Sequence, residues 1–155
     1  MATQPGKLGE MLETLAMFPD AADRAEVLLS FADKFTEVPP EVAIRPFARE
    51  NQVPQCESDA YVWARLQPEG TLKFYFAVES PSGVSAKALA TILDQALSGS
   101  PPEDVVRVDP EIVEAIFREN ISMGKGLGLR SMVLAVQALA RQALKTGTAP
   151  VLPES

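Results

Sequence analysis

Two short segments with alternating apolar and polar residues, joined by a tight turn, constrain the fold of this chain most strongly. Residues 60–66 and 72–78 both follow the period of two that is typical of a β-strand. Gln67-Pro68-Glu69-Gly70 lies between them, and this combination of residues favours a turn. The pattern predicts an antiparallel hairpin, with Tyr61, Trp63 and Arg65 on one face of the first strand.

Helical spacing of apolar residues precedes and follows this hairpin. Residues 8–16 and 20–35 predict a helical pair, with Asp20 as the cap of its second member. After the hairpin, the sequence predicts a helix near residues 86–97, two short proline-led helices, and a long helix entered through glycines 124, 126 and 128. The order predicts an α+β fold: a small antiparallel three-stranded sheet with helices packed on one face. We expect the other face of the sheet to approach water.

The length of 155 residues fits a single domain over residues 1–155, with an ordered core at about 7–145 and a loose C-terminal tail. No apolar run approaches the roughly 20 residues that a membrane span needs. The first residues lack the pattern of a targeting segment, and a lone cysteine suits a reducing compartment. We therefore expect a cytoplasmic protein without a membrane partner.

The composition removes several classes of function. The chain has 14 basic and 21 acidic side chains, so its formal charge of -7 argues against a nucleic-acid partner. It has no histidine and a single cysteine. Histidine-dependent triads, zinc fingers, cysteine-ligated iron–sulfur clusters and internal disulfides are therefore excluded, and we expect no bound metal.

Cys56 is the strongest nucleophile that this inventory leaves. A lone cysteine is more often an inert buried residue than a reactive one. Here, however, it lies in the polar stretch Pro54-Gln55-Cys56-Glu57-Ser58-Asp59, whereas a core cysteine normally sits within an apolar pattern. The sequence therefore favours an exposed or half-exposed thiol in a loop.

A thiolate at this position needs a cation, because the carboxylates of Glu57 and Asp59 disfavour negative charge nearby. Lys125, between Gly124 and Gly126, is the best candidate, although a solvated surface lysine is the simpler interpretation. The same glycines suggest a phosphate-binding loop, but the spacing differs from that of a P-loop and no strand precedes them.

The segment Val53-Pro54-Gln55-Cys56-Glu57-Ser58-Asp59-Ala60-Tyr61 resembles the V-x-G-C-x-S-x-V-W segment of the SufE family. These are sulfur-acceptor proteins that work beside cysteine desulfurases in iron–sulfur cluster assembly. Cys56 falls on the sulfur-accepting cysteine of that family, Ser58 on its serine and Tyr61 on its tryptophan. Gln55 takes the place of the glycine that precedes the cysteine.

A second segment, residues 121–132, is similar to the L-S-x-x-R-x-N-G-L-x-x-M run of the same family, with Lys125 in place of its arginine. The resemblance implies a SufE/IscU-like fold, with Cys56 as the persulfide carrier and Ser58 and Lys125 as supporting residues. It also implies a SufS-like cysteine desulfurase as partner and an iron–sulfur scaffold downstream. The pyridoxal phosphate would belong to the desulfurase, so this chain would need no cofactor of its own.

The single cysteine is consistent with a carrier, because a second thiol nearby would let a persulfide collapse into a disulfide. It also excludes the cluster-scaffold role of IscU-type proteins, which needs several ligands. Two alternatives remain at this stage. One is a docking regulator that stimulates a desulfurase by surface contact alone, and the other is a stand-alone, cysteine-dependent sulfurtransferase.

Overall fold

Six α-helices and one two-stranded antiparallel sheet form the part of the chain that the structure, a computed structural model, describes: residues 6–56 and 58–146. The helices are α1 (Gly6–Ala16), α2 (Ala21–Asp33), α3 (Val84–Leu97), α4 (Pro102–Val105), α5 (Ile112–Phe117) and α6 (Met123–Thr146); the strands are β1 (Ala60–Leu66) and β2 (Leu72–Val78). Two short 3₁₀ turns, Arg49–Asn51 and Arg118–Asn120, lie between these elements. The predicted α+β class is confirmed.

The hairpin forms at the predicted place. β1 pairs with β2 so that Val62 lies opposite Phe76 and Ala64 opposite Phe74. These four side chains are buried in the main core, where α6 packs against β1 and α3 against β2. Alternation along both strands therefore gives one continuous apolar face, which the helices cover.

The expectation of a third strand is wrong for the described residues, where the sheet has two strands and otherwise only single bridges. At one end of the free edge of β2, the N–H of Val38 donates to the carbonyl of Phe76 at 2.8 Å. At the other end, the N–H of Leu72 donates to Ser100. Pro39-Pro40 and Pro101-Pro102 follow these two contacts, and proline has no N–H with which to continue a ladder.

The second face of the sheet does not approach water as expected. Trp63 and Ala77 are buried on this face beneath the segment of residues 38–47. The ring of Phe47 lies 5.2 Å from that of Tyr61 and 5.1 Å from that of Trp63, measured between centroids. This irregular segment covers the second face of the sheet in place of a second layer of helices.

The helices differ from the expectations mainly at their ends. Asp20 caps α2 as predicted, because its carboxylate accepts the N–H groups of Ala22 and Asp23. α6 begins at Met123, so the three glycines lie within its first turns and do not form a loop before it. Thr146 is still helical, and the rest of the expected tail lies outside the described residues. None of the described helices has the length and apolar character that a bilayer crossing requires.

Arg24, in α2, is buried at 1% exposure without a carboxylate partner in the described residues. Its guanidinium donates to the carbonyls of Leu15 and Phe18 at the end of α1, and to those of Ala115 and Ile116 in α5. Carbonyls near a helix C-terminus lack partners within the helix, and the fork of an arginine can satisfy several of them at once. Arg24 therefore joins three helices around the core.

Replacing Arg24 with methionine removes all four of these hydrogen bonds while keeping an unbranched side chain. We expect a loss of about 3 kcal/mol in the free energy of unfolding, because buried carbonyls would be left without donors. Urea unfolding followed by circular dichroism measures the change. The control is Arg141→Met, an exposed arginine on α6, which should change the stability by less than about 0.5 kcal/mol. Equal losses in both variants would contradict this role of Arg24.

Candidate functional site

Cys56 lies at the tip of a loop whose two arms are anchored to the hairpin. On one arm, the N–H of Val53 donates to Ala60 at 2.8 Å, and the side-chain amide of Asn51 donates to the carbonyl of Val62 at 2.9 Å. On the other arm, the N–H of Ser80 donates to Ser58 at 3.1 Å, which extends the β1–β2 ladder towards the cysteine. The sheet therefore fixes both arms and leaves only the tip outside the ladder.

The tip rests on α6 at Gly128. A Cβ atom at Gly128 would lie 2.9 Å from the carbonyl oxygen of Gln55 and 3.1 Å from the Cα atom of Cys56. Backbone therefore packs on backbone, which only glycine allows at this distance. Gly83 is also crowded, but by side chains: a Cβ there would lie 2.7 Å from Val78 Cγ1 and 3.0 Å from the Cβ of Ser58. Cys56 itself is half-buried, as the polar sequence around it predicts.

Two residues of the loop have left-handed backbone without being glycine. Gln55 has a φ of 60° and Asp59 a φ of 52°. This conformation costs about 1 kcal/mol or more for most residues, with aspartate among the better tolerated. The family pattern has glycine at the position of Gln55, so this chain holds a strained residue directly before its cysteine.

On the side of the helices, the sulfur-bearing residue faces a small pocket of about 20 Å³, room for roughly one water-sized group. Its lining consists of Cys56, Ser58, Ser85, Ala86, Gly124, Lys125, Gly128 and Leu129. Ser85 and Ala86 belong to the first turn of α3, and Gly124 and Lys125 to the first turn of α6. Two helix N-termini therefore contribute to the same pocket.

This arrangement favours negative charge in the pocket. The N-terminus of each helix carries a partial positive charge, and Lys125 adds a full charge on an exposed side chain. The hydroxyl groups of Ser58 and Ser85 can donate hydrogen bonds there. These groups fit a sulfur anion on Cys56, which carboxylates in the same loop would otherwise disfavour.

A charged clamp fixes the end of β2 near the loop. Arg45 donates to the carboxylate of Glu79 at 2.9 Å and to that of Glu37 at 2.7 and 2.8 Å, and its guanidinium lies over the ring of Phe47. These hydrogen bonds from Arg45 hold the pKa of Glu37 below its ordinary value and raise the pKa of Arg45. The clamp connects the covering segment to the strand end that leads to Ser80.

The residues singled out in the sequence meet in one place: Cys56, Ser58 and Lys125 line the same pocket. Tyr61 does not join them and instead stacks beside Trp63 on the covered face of the sheet. Sequence reasoning missed Ser85, which has no distinguishing motif, and the packing role of Gly128. Gln55 stands where the family pattern has glycine, and a glycine at a fixed position often indicates left-handed backbone. The sequence therefore contained a signal for the φ of 60° found at this position.

Known proteins resemble this chain over most of its length. Residues 9–140 match the family model described as "SufE: Fe-S metabolism associated domain". The chain therefore belongs to the SufE family.

One solved structure and two curated proteins are also similar to this chain. The chain is 30% identical to a hypothetical protein from Thermus thermophilus with a known solution structure, with a TM-score of 0.73, covering 92% of this chain and 99% of that one. It is 26% identical to SufE-like protein 1, chloroplastic/mitochondrial, of Arabidopsis thaliana, over 88% of this chain. It is 23% identical to the cysteine desulfuration protein SufE of Plasmodium falciparum, over 90%. The chain spans 35% and 55% of the lengths of these two curated relatives.

Replacing Gly128 with alanine should loosen the loop. Alanine in a helix is normally favoured by about 1 kcal/mol over glycine, but here its methyl group would collide with backbone of residues 55 and 56. We expect Cys56 to react with iodoacetamide about fivefold faster than in the wild type, the factor that about 1 kcal/mol produces.

The control is Gly126→Ala, on the same helix, where the nearest atom to a new Cβ is Ile121 Cδ1 at an ordinary 3.5 Å. This variant should leave the reaction rate of Cys56 unchanged. An unchanged rate in Gly128→Ala would mean that the helix contact does not hold the loop.

Replacing Gln55 with glycine should have the opposite effect, because glycine adopts a φ of 60° without strain. We expect iodoacetamide to react about threefold more slowly with Cys56, because the closed loop is no longer strained at position 55. The effect is limited because glycine also gains conformational freedom in the open loop. Gln55→Ala is the control: it removes the same side chain but keeps the backbone penalty. A similar slowing in both variants would assign the effect to the side chain and contradict the strain argument.

Proposed function

We propose that this protein is a persulfide carrier, which accepts sulfur on Cys56 from a cysteine desulfurase and passes it to iron–sulfur cluster assembly. The observation that carries the proposal is the position of Cys56, the one thiol of the chain, at a half-exposed loop tip beside a pocket of matching charge. Membership of the SufE family and the name of the Plasmodium relative support the same direction.

The sulfur transfer is a thiol exchange. The Cys56 thiolate attacks the terminal sulfur of the donor persulfide, a new S–S bond forms on Cys56, and the S–S bond of the donor breaks. The donor leaves as a thiolate, and its terminal sulfur, which is anionic in the donor persulfide, is anionic again on Cys56. No electrons are gained or lost overall, so the step needs neither an oxidant nor a cofactor on this chain.

Each feature of the site has a use in this step. Lys125 and the two helix ends favour the anionic sulfur before attack and the persulfide anion after it. Ser58 and Ser85 offer hydrogen bonds to the same atoms. The absence of a second cysteine in the sequence leaves no thiol that could expel the carried sulfur as sulfide.

The partner that this chemistry requires is a pyridoxal-phosphate-dependent, SufS-like desulfurase, which makes the donor persulfide from cysteine. The receiver is an iron–sulfur scaffold or a protein that serves one. We also propose that the carrier stimulates the desulfurase, because removing sulfur from the desulfurase cysteine frees it for another turnover. A reducing compartment such as the cytoplasm would keep Cys56 as a thiol.

Incubation with a SufS-like desulfurase and cysteine tests the proposal. Intact-protein mass spectrometry should show a gain of one sulfur atom on the wild type and no gain on Cys56→Ser. Sulfide release from the desulfurase in the presence of reductant should rise severalfold with the wild type and not with the variant. A sulfur gain that survives the loss of Cys56 would overturn the proposal.

Two further outcomes distinguish the alternatives. Full stimulation of the desulfurase by Cys56→Ala would indicate a docking regulator. Turnover of small persulfides by the wild type alone, without the desulfurase, would indicate a stand-alone sulfurtransferase.

A further inference from the structure

Cys56 also borders a second space, the outer groove, which shares no other lining residue with the pocket at the helix N-termini. This is an open groove of about 620 Å³, lined by Arg49, Gln52, Val53, Pro54, Gln55 and Cys56. The pocket on the helix side has only about 20 Å³. A peptide segment that carries a persulfide cannot enter a space of one water molecule, so the groove is the side from which a protein donor reaches the sulfur.

The approach of the donor is electrostatically unfavourable. A thiolate and a persulfide anion repel each other, and the chain as a whole has a formal charge of -7. Among the described residues that line the groove, Arg49 is the charged one, while Lys125 lines the pocket at the helix N-termini. An exposed cation on the side of approach is therefore the group placed to offset this repulsion.

The sheet fixes the backbone turn that carries Arg49, and the side chain of Arg49 is exposed. It begins the 3₁₀ turn Arg49–Asn51, and the buried side chain of Asn51 fastens that turn to β1 through the carbonyl of Val62. Within residues 6–56 and 58–146, Arg49 forms no ion pair, so its guanidinium is not neutralised by a described carboxylate.

We propose that Arg49 recognises the anionic donor in the outer groove and sets the preference of Cys56 for negatively charged reagents. The inference rests on the proposed function, for which it names the side of approach and a specificity residue. Arg49 exchanges no atoms in the reaction. It contributes charge while the S–S bond forms on Cys56 and the donor thiolate leaves through the same groove.

Iodoacetate and iodoacetamide test this without any partner protein, because they alkylate thiols by the same displacement of iodide and differ in charge. The quantity measured is the ratio of the rate constants of Cys56 for the two reagents at low salt. We expect Arg49→Gln to lower the ratio of iodoacetate to iodoacetamide about threefold, the effect of one solvent-screened charge at several ångströms. Arg49→Lys should keep most of the wild-type ratio.

Arg65→Gln is the matched control. Arg65 is an exposed arginine near the far end of β1, about 20 Å from the loop at the rise of a strand, so its loss changes the net charge equally but not the groove. Its ratio should stay at the wild-type value. Equal changes in Arg49→Gln and Arg65→Gln, or no change in either, would overturn the proposal. A larger change in Lys125→Gln than in Arg49→Gln would also overturn it, by placing the approach on the helix side.

The desulfurase assay separates this inference from the proposed function. With Arg49→Gln, we expect the concentration of carrier that gives half-maximal sulfur transfer to rise about threefold, with little change in the plateau. If the wild type acquires sulfur on Cys56 and Arg49→Gln does so at the same concentration dependence, the role of Arg49 is wrong while the carrier proposal stands. If the wild type acquires none, the carrier proposal itself fails.

Discussion

The contact between the cysteine loop and α6 at Gly128 is the constraint on which the site depends. The carbonyl of Gln55 and the Cα of Cys56 approach this helix so closely that no side chain fits between them. α6 is in turn held by the main core, where it packs against β1 and where its side chains such as Met132 and Val136 are buried. Packing of the core therefore positions Cys56 relative to Lys125.

The arms of the loop are held by the ladder of the sheet, whereas the tip is held by one backbone hydrogen bond, from Asp59 to Cys56 at 3.2 Å, and by packing on the helices. Hydrogen bonds from Val53 and Ser80 continue the sheet along the arms, whereas the tip is fixed mainly by van der Waals contact with α6 and carries the strain at Gln55. Local opening of such a segment costs far less free energy than unfolding of the sheet that anchors it. A movement limited to the tip around Cys56 would expose the cysteine and leave the hairpin intact.

The periodic spacing of apolar residues predicted the regular strands and helices of the fold. The strands at 60–66 and 72–78 and the capped helix after Asp20 were predictable because each side chain there faces either the core or water. The segment of residues 38–47 was not, since its prolines break any period and its apolar residues pack only in the folded chain. The sequence also predicted a three-stranded sheet, whereas the described residues form two strands and single bridges, two of which are followed by paired prolines.

The candidate site was predictable to a similar extent. The polar residues around Cys56 predicted its exposure, and the resemblance to the SufE family linked it to Ser58 and Lys125, which the structure brings to one pocket. Ser85 and Arg49 could not be found in this way, because they reach the cysteine from α3 and from the 3₁₀ turn through tertiary packing. Neither residue lies in a motif, and their neighbourhood depends on how the loop folds back onto the sheet.

The unequal spaces on the two sides of Cys56 also bear on how a carrier would work. A pocket of about 20 Å³ excludes any polypeptide, so under the proposed function donor and receiver would both use the outer groove of about 620 Å³. Two proteins that need the same groove cannot occupy it together. Sulfur transfer under the proposed function would therefore occur in two separate encounters, with the persulfide held on Cys56 between them. The helix side, with Lys125 and two positive helix ends, offers a favourable environment for an anionic sulfur during that interval.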